Sequence, residues 1–151
     1  MDLYSEFFSV IKLMNDNKIK YAVVGGIALS FYAEPRYTKD IDFLVLSENI
    51  DELKSLLKDV GYIYESPAWD FKKTPVTLHR LSKIEGREAM TVDILVSDKK
   101  KYKNIIEDAV TEQTEFGEVR IVSREDLVWM KKIRNSKQDI ADIEALLKDD
   151  K

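Results

Sequence analysis

Apolar residues recur along this chain with two periods, one helical and one extended, and the points where the period changes divide it into elements. Leu3, Phe7, Val10, Ile11 and Met14 share one face of a 3.6-residue repeat, predicting an amphipathic helix over residues 2–16 that ends in Asn15-Asp16-Asn17. Residues 21–24 form a short β-branched run stopped by Gly25-Gly26, and residues 27–32 read as a brief helix closed by Glu34-Pro35. Residues 40–46 form a second strand. Ile50, Leu53, Leu56, Leu57 and Val60 mark a helix that Ser47 or Asn49 caps and Gly61 ends.

Past Gly61 the pattern is less regular. Residues 62–75, with Pro67 and Pro75, read as an irregular strand and loop, and residues 76–84 and 90–96 as two strands joined around Glu85-Gly86-Arg87. A Lys-rich helix is expected over 99–110, and one or two short strands around Gly117. Ser123, with Asp126 three residues on, resembles a capping box and starts a helix to about residue 133. The last helix carries Ile140, Ile143, Leu146 and Leu147 on one face. Strands interleaved with helices imply an α/β fold, and neither a repeat nor a linker divides the 151 residues, so a single domain is expected.

Composition narrows the chemistry. A hydrophobic fraction of 44% and a charged fraction of 34% suit a globular protein, and a net charge of −4 argues against coating nucleic acid by charge alone. With no cysteine and one histidine, thiolate zinc sites, disulfides and His-rich metal sites are excluded, so any catalytic metal is held by oxygen. Residues 1–17 lack the basic segment and apolar run of a leader, and no stretch reaches the ~20 apolar residues that span a bilayer. A cytoplasmic location is expected.

The densest chemistry lies in residues 21–46. In a strand, side chains at i and i+2 share a face, so Asp40 and Asp42 stand side by side while Ile41 faces the core. Two like charges held that close suit a hard divalent cation such as Mg²⁺, which takes carboxylate oxygens together with substrate phosphate oxygens. A helix starting after Gly25-Gly26 presents free backbone N–H groups suited to phosphate. Asp93 sits alone in the apolar run Val92-Asp93-Ile94, an expensive place for an unpaired charge.

Gly25-Gly26 followed by Arg36-x-Thr38-x-Asp40-Ile41-Asp42 resembles the nucleotidyltransferase superfamily related to DNA polymerase β. It is most similar to a small bacterial and archaeal branch that includes abortive-infection toxins and, more distantly, antibiotic-modifying enzymes. The resemblance implies a small mixed sheet flanked by helices and closed by a C-terminal helix pair. It also implies Asp93 as a third carboxylate and general base, two Mg²⁺ ions on Asp40, Asp42 and Asp93, and a nucleoside triphosphate substrate. Arg36, Thr38 and Lys39 would meet the triphosphate, with Gly25 and Gly26. Family members often carry Gly-Ser where this chain has Gly26, which leaves that contact to backbone N–H groups or to Ser30. Residues 126–144 are also similar to this branch: Lys131 matches a helix lysine that would reach the triphosphate, and Asp139 and Asp142 match an acidic pair that would fix the last helix. Arg134 and Lys137 are both candidates for a basic residue before that pair. Residues 21–96 and, more loosely, 121–147 carry the resemblance.

Each feature has a plainer reading. An isolated D-x-D is more often a solvated strand entry, and here its neighbours reverse that. Asp93 has a strand-edge position or a salt bridge to Arg80 as its alternative, Arg36 a pairing with Glu34 or Asp40, and Ser30 burial within its helix. His79 is more readily a packed or solvated residue than a catalyst, and the run around Lys99-Lys100-Lys101 a solvated helix face. The acceptor, whether protein, transfer RNA or small molecule, is left open, as are a homodimer, a partner protein in a toxin–antitoxin pair, and a binding module that keeps the fold without turnover.

Overall fold

The computed structural model describes residues 1–35 and 37–148. In chain order the elements are α1 (Leu3–Asp16), β1 (Tyr21–Val24), α2 (Gly25–Tyr32), β2 (Asp40–Leu46), α3 (Ile50–Asp59), β3 (Tyr64–Glu65), β4 (Trp69–Asp70), β5 (Thr77–Glu85), β6 (Glu88–Ser97), α4 (Lys100–Glu107), β7 (Val110–Thr114), β8 (Gly117–Ile121), α5 (Arg124–Arg134) and α6 (Lys137–Lys148). The strands form one mixed sheet in the order β3-β5-β6-β2-β1-β8-β7, with β4 also paired to β5. β2 runs parallel to β6, and β1 parallel to β8; the remaining pairs are antiparallel. The fold is the expected mixed α/β arrangement, with α5 and α6 as its C-terminal helix pair.

Strand alternation sorts the side chains onto two faces. Ile41, Phe43 and Val45 of β2 point to the face covered by α1, where Phe43 stacks on Phe7 with ring centroids 6.1 Å apart and meets Tyr21 edge-on. Such aromatic pairs add about 0.5–1.5 kcal/mol each beyond the area they bury. Phe7, Val10, Ile11 and Met14, the apolar stripe of α1, are all buried there, and Asp2 caps the helix by accepting from the Ser5 N–H at 2.8 Å. The opposite face carries Asp40, Asp42, Asp93 and Arg80, and α5 lies over it.

Two elements depart from expectation. α2 begins at Gly25 itself, not after the glycine pair, because Gly25 adopts φ +70°, a left-handed conformation that turns β1 sharply into the helix. α6 is rotated: Ile140 and Leu147 are about half exposed (47% and 54%), while Asp139 and Asp142 are buried beside Leu146. The expected apolar face is thus only half used, by Leu146 and the half-buried Ile143, while Asp139 and Asp142 fix the helix as the resemblance implied, through cations on α5. Arg124 completes this corner by donating to the carbonyls of Leu146 at 2.8 Å and Tyr32 at 3.2 Å.

Candidate functional site

The site is built on a row that crosses four strands. Val24 on β1 lies opposite Asp42 on β2, Asp42 opposite Asp93 on β6, and Asp93 opposite Arg80 on β5. Neighbouring strands are about 4.8 Å apart, so Asp42 and Asp93 lie side by side on one face, with Asp40 two residues along β2. Asp93 is buried at 5% exposure, on an interior strand and not at a sheet edge. Both its oxygens are taken by Arg80: Nε donates to Oδ1 at 2.7 Å and Nη2 to Oδ2 at 2.9 Å. The Arg80 guanidinium in turn lies 5.3 Å from the centre of the Trp69 ring.

Among the described residues, Asp40 and Asp42 have no comparable partner. Burial, then repulsion from Asp93 and Asp40, pushes the Asp42 carboxyl up to about 7, against a slight pull from Arg134 and Lys131. Asp40 is raised for the same reasons, burial first and the Asp93 charge second. The backbone crowds Asp42 as well: a Cβ at Gly25 would overlap its carboxylate, so only glycine lets β1 turn beside it. Gly26 gives similar room to Thr38, whose Oγ1 would lie 2.7 Å from a Cβ there.

Across a cavity of about 330 Å³ from this row stands the α5–α6 pair. Lys131 is buried, with Nζ 2.8 Å from Asp142 Oδ2 and 3.9 Å from Asp139 Oδ1. Arg134 makes a forked pair with Asp139, Nε to Oδ2 at 2.8 Å and Nη2 to Oδ1 at 2.7 Å. Asp139 also accepts from the N–H and hydroxyl of Ser136. Burial opposes its ionisation, but Arg134 and Ser136 together outweigh that and hold it at about 2. The remaining wall is apolar, including Trp69, Phe71, Leu95, Tyr102 and Met130.

Of the residues expected at a site, Gly25, Gly26, Thr38, Asp40, Asp42, Asp93 and Lys131 line this one cavity. Ser30 does not: its hydroxyl donates to the Ile27 carbonyl at 2.6 Å, within its own helix. Lys39 is exposed and outside the cavity wall. Arg36 lies outside the described residues. Arg134, not Lys137, is the basic residue beside the acidic pair, and its spacing of three from Lys131 on one helix was the available signal. The aromatic wall of Trp69 and Phe71 had no sequence signal, since it lies in the irregular stretch before β5. Among the described residues, no group of three or more Asp, Glu or His converges to hold a metal ion, and no helix is long and apolar enough to cross a membrane.

Solved structures share this arrangement of elements. A candidate nucleotidyltransferase of Thermotoga maritima superposes with a TM-score of 0.59 at 16% identity, over 91% of this chain and 87% of that one. ANT(2'')-Ia, crystallised in complex with adenylyl-2''-tobramycin, gives 0.56 at 15% identity over 91% and 83%. The solution structure of the same antibiotic-resistance factor gives 0.58 at 14% identity over 97% and 84%. At these identities the likeness is one of fold. No curated protein matches the chain in sequence. The family model described as nucleotidyl transferase AbiEii toxin, type IV TA system, matches residues 14–150, and the chain therefore belongs to the AbiEii nucleotidyltransferase toxin family.

Proposed function

We propose that the protein is the toxin component of a toxin–antitoxin pair and works as a Mg²⁺-dependent nucleotidyltransferase, moving a nucleoside monophosphate from a nucleoside triphosphate to an acceptor. The observation that carries this reading is the Asp40–Asp42 pair, two neighbouring carboxylates that make no ion pair among the described residues, facing a cavity whose opposite wall holds Lys131 and Arg134 on their own aspartates. A carboxyl raised to about 7 by burial and like charge is stabilised in its ionised form by a hard cation. Asp40 and Asp42 therefore fit Mg²⁺. Asp93 fits less well, since Arg80 already occupies both its oxygens.

When bound, Mg²⁺ would bind the triphosphate and lower the pKa of the attacking hydroxyl. The chain's own groups position the substrate. Backbone N–H groups at the start of α2, beside Gly25 and Gly26, would receive phosphate oxygens, and Lys131 and Arg134 would face the leaving pyrophosphate across the cavity. Trp69 and Phe71 would shield the reacting groups from water. Transfer of this kind depends mainly on positioning and electrostatics, and these few groups supply both.

A second reading, a nucleotide- or partner-binding module without turnover, is favoured by one observation: Asp93, the expected general base, is committed to Arg80. Calorimetry of nucleoside triphosphate binding, with and without Mg²⁺, tests the first. Binding that requires Mg²⁺ and disappears in the double variant Asp40→Ala, Asp42→Ala supports it. A well-folded wild type that binds no triphosphate at any Mg²⁺ concentration sinks it and leaves the partner-binding reading.

A further inference from the structure

We infer that Arg80 takes the place of a second divalent cation, so that the acidic row holds one metal ion and not two. The inference rests on the metal-nucleotide reading above and concerns how charge is distributed within that site.

Charge leads to it first. Asp40, Asp42 and Asp93 bring three negative charges to the sheet face. The cations on the opposite wall are matched one for one, Lys131 by Asp142 and Arg134 by Asp139. Lys39 is exposed and screened by solvent. Among the described protein groups, Arg80 cancels one of the three carboxylate charges and leaves two, the charge of a single divalent ion. A second ion would have to sit beside a guanidinium that stays charged at every working pH.

Geometry leads to the same place. A paired-metal site sets its ions about 3.5–4 Å apart and shares carboxylates between them. The second ion would share Asp42 and Asp93, yet each Asp93 oxygen already accepts one arm of the Arg80 fork, at 2.7 and 2.9 Å. Arg80 and Asp93 are direct cross-strand partners, so no side chain has to stretch to make the pair. Trp69, held on β4 opposite Leu78 of β5, covers the guanidinium and disfavours its swinging away. Asp93 then acts through charge and position while Asp40 and Asp42 ligate the ion, and Arg80 is a positioning residue.

The test counts Mn²⁺ by electron paramagnetic resonance on the full chain, saturated with mixed α,β-methylene nucleoside triphosphates and corrected against a protein-free blank. The expected count is one ion in the wild type, two in Arg80→Gln, and one still in Asp93→Asn. Two ions in the wild type, or one in a folded Arg80→Gln, overturns the inference alone. Loss of the ion in Asp93→Asn, with the fold intact by circular dichroism, overturns it too by making Asp93 a ligand. No ion in any of the proteins overturns both this inference and the metal reading beneath it. Should Arg80→Gln not fold, the wild-type and Asp93→Asn counts still decide.

Discussion

Two pairs of aspartates face each other across the cavity, and they are in opposite electrostatic states. Asp139 and Asp142 on α6 are buried and fully engaged by Arg134, Lys131 and Ser136, and Asp139 is held at about 2. Asp40 and Asp42 on β2 are less buried, pair with no cation among the described residues, and are raised, Asp42 to about 7. The same side chain therefore serves two ends. Where charge is matched, it fixes one helix to another; where it is left unmatched at the wall of a cavity, burial and like charge disfavour its ionised form.

The comparison is broken most forcefully from its structural side. Asp139→Asn is expected to cost about 2–4 kcal/mol, because the carboxylate it removes is fully buried and holds both the half-exposed Arg134 guanidinium and Ser136. Urea unfolding measures it, and a loss below 1 kcal/mol would deny α6 its electrostatic anchor.

The next effect has the opposite sign. Asp42 takes up its proton near pH 7 in the folded chain and near 3.8 when unfolded, so within that window the folded chain holds the extra proton. Its contribution to stability therefore falls as pH rises from about 4 to 7. Without divalent cations, Asp42→Asn should stabilise the protein by about 2–4 kcal/mol above pH 7 and by nothing below pH 4. Urea midpoints at pH 8 and pH 4 would expose a failure of either limb.

The smallest effect sharpens the contrast. If Asp42 ligates Mg²⁺ as proposed, protons compete for it below pH 7, and Mg²⁺ should bind about tenfold more weakly at pH 6 than at pH 8. That ratio is read from the Mg²⁺ dependence of Tm at each pH, and a flat profile would mean that Asp42 is not a ligand.

Much of this was legible in the residues. Two-residue alternation placed Asp40 and Asp42 on one face, helical spacing placed Phe7, Val10, Ile11 and Met14 in the core, and Ser123 caps α5 as expected, accepting from the Asp126 N–H at 3.1 Å. What stayed hidden depends on partners distant in sequence. Arg80 was visible as one possible companion of Asp93, but only the β5–β6 register makes the pair forked and direct. Ile140 and Leu147 suggested a buried position because periodicity weighs apolarity alone; the resemblance already gave Asp139 and Asp142 the task of fixing α6, and the structure supplies their partners, Lys131 and Arg134.

The β5–β6 hairpin also bears on the order in which the domain assembles. Arg80 and Asp93 are 13 residues apart, joined by a tight turn, whereas Asp42 and Asp93 meet only after α3 and three strands have been gathered between them. Loop-closure entropy favours the shorter connection. An order in which the hairpin neutralises Asp93 before β2 docks alongside is therefore the one that loop closure favours, and it spares the sheet the repulsion of three bare carboxylates as its two halves come together.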